Sequence, residues 1–221
     1  MERPIDALTG LYSGEAIDGD MEALISGGKE FSLIIMDIDG LFVLNRDYGH
    51  EAGDAVFRLI AKHIGDVFPA PCMAFRDTRD QFDILLPGCG KEETFLRAER
   101  IRKLICDEKL KYKSAEGAPM RQSVSAGVSS YPDDGNRPAD IYRRADSAMV
   151  RAKKNGRNQV CLAREEKLIP KTSHYTQAQL EKLSLISEKT SVGEATLLRE
   201  ALDGLLKKYD VDNASPAVKA G

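Results

Sequence analysis

Two carboxylates, Asp37 and Asp39, close the apolar run "FSLIIMDID" (Phe31 to Asp39). Hard oxygen donors at the polar end of a strand invite a metal ion, although acidic residues in that place can also do no more than end the strand. Downstream, "FRDTRDQFDILLPG" (Phe75 to Gly88) has the rhythm of a β-hairpin, and its turn carries Thr78, Arg79, Asp80 and Gln81. Such a turn beside an acidic strand end is where chemistry is expected. Four further positions read more plainly: Asn45 as a turn residue, Asp54 as a helix cap, and Lys153 and Arg157 as cations that favour the end of a helix dipole.

The elements that must hold these residues follow from periodicity. "FSLIIMDID" is continuous enough for a central strand buried on both faces. From Gly53, "DAVFRLIAKHI" puts Val56, Leu59, Ile60 and Ile64 on one helical face, with Asp54 placed to cap its start. "CMAF" and "FDILL" are the hairpin strands. "EETFLRAERIRKLICDEKL" reads as an amphipathic helix through Phe95, Leu96, Ile101, Leu104 and Ile105, and "RQSVSAGVSSY" as a strand. "ADIYRRADSAMVRAKKNGRN" is a helix stopped at Asn155-Gly156, and "NQVCLA" a last strand ending near Ala163. Strands and helices alternate without internal repeats, which predicts an α/β fold with one mixed sheet flanked by helices.

A chain of 221 residues has room for one full domain and a small second one. The net charge of −3 does not describe a polyelectrolyte built for nucleic acid, which leaves only a local patch for that purpose. Cys72, Cys89, Cys106 and Cys161 form no CxxC pair, which argues against a zinc site and against a disulfide-framed secreted domain. No apolar run approaches the roughly 20 residues of a membrane helix, and "MERPIDALTG" lacks the apolar core of a signal peptide. A soluble, cytoplasmic protein without a membrane partner is expected.

Four ordered segments, "DALTGLYSG" (Asp6 to Gly14), "DIDGLFVLNRDYGHEAGD" (Asp37 to Asp54), "SVSAGVSSYP" (Ser123 to Pro132) and "RADSAMVRAKKNGRNQV" (Arg144 to Val160), resemble the GGDEF domain of diguanylate cyclases over roughly residues 4 to 163. The resemblance implies a nucleotide-cyclase-like palm. In that family two GTP-loaded domains face each other, and metal ions assist attack of each 3′-hydroxyl on the partner's α-phosphate to give cyclic di-GMP. It further implies that Asp37 is a metal ligand beside the Ile38 carbonyl, that Asp80 keeps an acidic position, and that Mg2+ accompanies a bound nucleotide. Asn45 and Asp54 match the pair that reads the guanine edge, and Lys153 and Arg157 the pair that holds the triphosphate.

The signature itself departs from the family. Thr78, Arg79, Asp80, Gln81 and Phe82 stand where the family has GGDEF. A side chain in place of glycine obstructs close approach of backbone to phosphate, and Gln81 offers Mg2+ no charge. Arg79 could instead bond phosphate. Phe42 replaces a phosphate-contacting lysine, and "PAPC" (Pro69 to Cys72) falls where the family's product-inhibition motif would be. No catalytic residue set is therefore expected to work, and the resemblance implies a degenerate cyclase.

After Pro170, "KTSHYTQAQLEKLSLISEKTSVGEATLLREALDGLLKKYD" holds two helices opened by capping boxes, Thr176 with Gln179 and Ser191 with Glu194. About forty residues cannot bury two apolar stripes alone, so this part should dimerise or dock. It resembles the ribbon-helix-helix module of MetJ/Arc-type regulators, whose paired strands enter the DNA major groove while the second helix's N-terminus holds a phosphate. The resemblance places Thr172 and His174 outward as base readers with Tyr175 inward, Lys171 as a nearby cation, and Ser191, Val192 and Gly193 at a phosphate. Residues 164–221 carry 9 Lys+Arg and 9 Asp+Glu, a neutral balance that is weak for DNA.

The expected organisation is a degenerate GGDEF-like domain at 1–163, a linker at 164–171, a dimeric ribbon-helix-helix module at 172–210 and a disordered tail at 211–221. The expected function is regulation of DNA binding by GTP or cyclic di-GMP. The alternatives are a residual nucleotide-processing enzyme and an interaction scaffold that binds neither nucleotide nor DNA.

Overall fold

The computed structural model describes residues 3–68, 70–77, 80–110, 112, 120–164, 172–190 and 193–208. The chain divides into two compact units, Met1–Glu166 and Lys167–Gly221.

The spine of the first unit is β2 (Phe31–Ile38), all of whose residues are buried. It pairs antiparallel with β4 (Gln81–Pro87) on one side and with β5 (Val124–Tyr131) on the other. The sheet extends outward through β3 (Met73–Arg76) to β1 (Tyr12–Ser13), and through β5 to β6 (Val160–Leu162), in the order β1-β3-β4-β2-β5-β6. β1 runs parallel to β3 and β6 parallel to β5, so the sheet is mixed as expected.

Strand alternation divides the core in two. Ile34, Met36, Ile38, Phe82, Ile84 and Leu86 pack with residues of α2 (Leu41–Tyr48), α3 (His50–Val67) and α4 (Lys91–Asp107). Phe31, Leu33, Ile35 and Leu85 pack with α1 (Ile17–Ser26) and α5 (Pro138–Lys154). Gly127 lets α5 lie close against β5: a Cβ there would be 1.9 Å from the Ala145 carbonyl oxygen. The helix cannot yield by that much, so no other residue fits.

Two expectations about helices need correction. Gly49, at φ +83, turns the chain directly from α2 into α3. α3 therefore begins at His50, and Asp54 lies inside it rather than capping it. In α4 the buried face is Thr94, Ala98, Ile101 and Ile105, while Leu96 (67%) and Leu104 (38%) are exposed. An apolar residue off the inward stripe points to solvent however suitable its type.

The second unit contains α6 (Gln177–Thr190) and α7 (Glu194–Lys208). The capping box at α6 forms: Gln179 N–H donates to Thr176 Oγ1 at 3.3 Å, and Thr176 N–H donates to Gln179 Oε1 at 2.9 Å. The second box involves Ser191, outside the described residues. The expected strand does not form, because Thr172–Thr176 have no regular structure and Tyr175 is exposed. A ribbon strand takes its ladder from another strand, and a single copy supplies none. No described helix is long and apolar enough to cross a membrane.

Candidate functional site

The ladder between β2 and β4 sets Asp37 opposite Gln81. Alternation then places Asp37, Gln81 and Asp83 on the α5 side of the sheet, as the polar end of a face that continues through Leu33, Ile35 and Leu85. The Lys153 ammonium, near the C-terminus of α5, lies 2.8 Å from Asp37 Oδ1. Burial pushes the Asp37 carboxyl up to about 6; Lys153 opposes the shift, while Asp80 and Asp39 add like charge. The pairing compensates a carboxylate that has lost most of its water.

Asp39 has a different task from Asp37. Its carboxylate accepts from Ser125 Oγ (2.7 Å), Ser123 Oγ (2.7 Å) and the Asn158 backbone N–H (3.0 Å). These bonds tie the end of β2 to β5 and to the loop after α5, and they occupy oxygens that a metal would need. Arg157 and Asn158 take left-handed backbone conformations, φ +64 and +47, in that loop. Arg157 lies beyond the end of α5, with an exposed side chain.

Asn45 and Asp54 are brought together by a glycine. A Cβ at Gly53 would be 2.1 Å from Asn45 Oδ1, so the bare backbone of α3 seats the Asn45 amide beside the turn that carries Asp54. The amide oxygen is buried and has no hydrogen-bond partner among the described residues. Phe42, one helical turn before Asn45, is 79% exposed.

At the hairpin, Thr78 and Arg79 lie outside the described residues. The strand ends are firmly held. Asp6 accepts from Thr9 N–H and Oγ1 and from Arg76 Nη1 at 2.9 Å, and the Arg76 guanidinium stacks 3.9 Å from the centre of the Phe57 ring. Phe82 is fully buried against Phe57. Asp80 accepts the Ile38 N–H through its backbone carbonyl at 3.1 Å.

Gln81 is bonded to two partners. Its Nε2 donates to Asp83 Oδ1 (2.8 Å) and to the Tyr142 hydroxyl oxygen (2.5 Å), and Tyr142 donates to Asp83 Oδ2 at 3.2 Å. Burial raises the Asp83 carboxyl to about 7 against the pull of these two donors. Sequence reading missed Asp83, Tyr142 and Gly53. A charge inside the apolar run "QFDILLP", two residues from Gln81 and so on the same face, was the available signal for Asp83.

For a metal, Asp37 and Asp80 remain as acidic oxygen donors, but no group of three or more His, Cys, Asp or Glu forms among the described residues. Two carboxylates suit Mg2+ only where phosphate oxygens and water complete the shell. In the second unit, Thr172, His174 and Gly193 are exposed. Lys171, Ser191 and Val192 lie outside the described residues.

Comparison with known proteins identifies the two domains. Residues 4–159 match the family model described as "Diguanylate cyclase, GGDEF domain", and residues 167–210 match that of the "Ribbon-helix-helix domain". Diguanylate cyclase VdcA of Vibrio cholerae is 35% identical over 156 residues, 70% of this chain and 45% of that protein. Protein YhcK of Bacillus subtilis is 30% identical over 166 residues, 73% of this chain and 46% of that protein. The chain thus spans less than half the length of these relatives. The coiled coil and GGDEF domain of DgcB from Caulobacter crescentus, solved in complex with c-di-GMP, is 29% identical with a TM-score of 0.66, covering 72% of this chain and 85% of that one. The active GGEEF domain of a Vibrio cholerae diguanylate cyclase is 30% identical with a TM-score of 0.61, covering 69% of this chain and 94% of that one. The chain belongs to the GGDEF-domain family of diguanylate cyclases and carries a ribbon-helix-helix domain after that domain.

Proposed function

We propose that the protein binds a guanine nucleotide, GTP or cyclic di-GMP, without cyclising GTP, and that this binding regulates DNA association through a dimeric ribbon-helix-helix module. The observation that carries the reading is the seating of Asn45 on Gly53 beside Asp54 while Gln81 is bonded to Asp83. Asn45 and Asp54 read the guanine edge. Guanine offers both N–H donors and acceptors, which an amide and a carboxylate can pair. Arg157 and Lys153 hold phosphate, and Lys153 does so at the expense of its pairing with Asp37. Asp37 and Asp80 would hold Mg2+ brought by the nucleotide, and the ion would supply charge compensation at the phosphates. Incubation with GTP and either Mg2+ or Mn2+ tests the loss of catalysis: no cyclic di-GMP should accumulate, and product that disappears in Asp37→Ala would identify a working enzyme instead.

The domain plan supporting this reading is a GGDEF-like part at 1–163, a linker at 164–171, a ribbon-helix-helix part at 172–210 and a tail at 211–221. In α6 and α7, Leu180, Leu185, Ile186, Leu202, Leu205 and Leu206 are each about half exposed. Such a density of exposed leucine in short helices supports pairing with a second copy. Pairing also gives the segment around Thr172 and His174 a partner strand for its ladder. Light scattering should report a dimer for the full chain and a monomer for Leu202→Asp/Leu205→Asp. A wild-type monomer at micromolar concentration would remove the dimeric DNA-binding reading.

A further inference from the structure

The fourth signature position carries an amide where the family has a carboxylate, and the structure supplies a reason that lies beneath the turn. Gln81 Nε2 has two N–H groups, and its two bonds engage Asp83 Oδ1 and the Tyr142 oxygen. Tyr142 spends its own proton on Asp83 Oδ2. An ionised carboxylate accepts only, so a glutamate at 81 could give neither bond. It would also face the Asp83 carboxylate, whose residue is 2% exposed and around which Asp77 and Asp146 already add negative charge.

We infer that Asp83, with Tyr142, is a positioning residue that fixes Gln81 inward, so that the signature position is kept from cations by a lock below the turn and is not restored by changing residue 81 alone. The substitution at 81 and the acid at 83 form one unit: the amide satisfies a buried carboxylate, and the carboxylate holds the amide against α5. The network joins two residues of β4 to one of α5 and so fixes the strand end from which the signature turn departs. The inference rests on the reading that this turn has lost its cyclase role, and it adds that the loss is set by the protein's own packing.

Two measurements on the full chain test it, using Gln81→Glu, Asp83→Val and the double variant. Mn2+ titration followed by electron paramagnetic resonance should show no gain in affinity for Gln81→Glu and a gain of about tenfold for Gln81→Glu/Asp83→Val, the size typical when groups that orient a metal ligand are changed. Thermal melts at pH 8 should show that glutamate at 81 lowers the midpoint strongly when Asp83 is present and little when valine replaces it. The lock is overturned if Gln81→Glu alone gains as much Mn2+ affinity as the double variant, if the double variant gains none, or if glutamate costs the same in both backgrounds. Synthesis of cyclic di-GMP by the unmodified protein would instead sink the underlying reading and leave these comparisons intact.

Discussion

The two sides of the site are built in opposite ways. On the α2–α3 side, Asn45 rests on the bare backbone of Gly53 with an amide oxygen that no described protein group satisfies. On the β4 side, Gln81 is engaged by Asp83 and Tyr142. A buried polar group left open is costly unless a ligand meets it, whereas one closed within the protein has no such need. The contrast is one of satisfaction: the first side leaves an amide oxygen without a partner among the described residues, and the second closes its polar groups within the fold.

The largest expected effect breaks the open side. Asn45→Ala/Asp54→Ala removes a neutral hydrogen-bonding group worth about 0.5–1.5 kcal/mol and a charged one worth about 1.5–3 kcal/mol. Guanine-nucleotide affinity should fall roughly a hundredfold, as read by calorimetry, with little change in melting temperature.

A smaller change sharpens the same side without touching either reader. In Gly53→Ala the new methyl would need the space of Asn45 Oδ1, which lies only 2.1 Å away. The displaced amide should cost about tenfold in nucleotide affinity, equivalent to about 1.4 kcal/mol. Unchanged affinity would mean that the seat on Gly53 does not orient Asn45.

The smallest effect concerns the closed side and its pH dependence. Asp83 is raised from 3.8 to about 7 in the folded protein, chiefly by burial. The folded state therefore holds this proton more tightly than the unfolded state. Its contribution to stability is full below about pH 4 and is lost as pH rises through 7. Asp83→Asn should flatten the Asp83 component of the fall in thermal midpoint between pH 5 and pH 8, a change of a few degrees; an unaltered profile would show that Asp83 does not set it.

Much of the fold was legible because it depends on long periodic segments. The uninterrupted run from Phe31 to Ile38 identified the buried central strand, and Thr176 with Gln179 identified the start of α6. What escaped depends on contacts between distant residues. Nothing near Asp39 in the chain announces that Ser123, Ser125 and Asn158 will occupy its carboxylate. Asp54 looked like a cap because the positive φ that starts α3 at His50 belongs to Gly49, which no local hydrophobic pattern marks. The inward turn of Gln81 required Tyr142, 61 residues away. The residues expected at a base and phosphates were proposed from their order in the chain, while the geometry that distinguishes an unpartnered amide from a bonded one came only with the packing.

The most direct measurement is a calorimetric titration of the full chain with GTP and with cyclic di-GMP, each with and without Mg2+, alongside Asn45→Ala/Asp54→Ala. Binding of at least one nucleotide to the unmodified protein, abolished in the double variant, is the predicted result. Failure of both nucleotides to bind, or equal binding by the variant, would contradict the assignment of the open side as a guanine-nucleotide sensor.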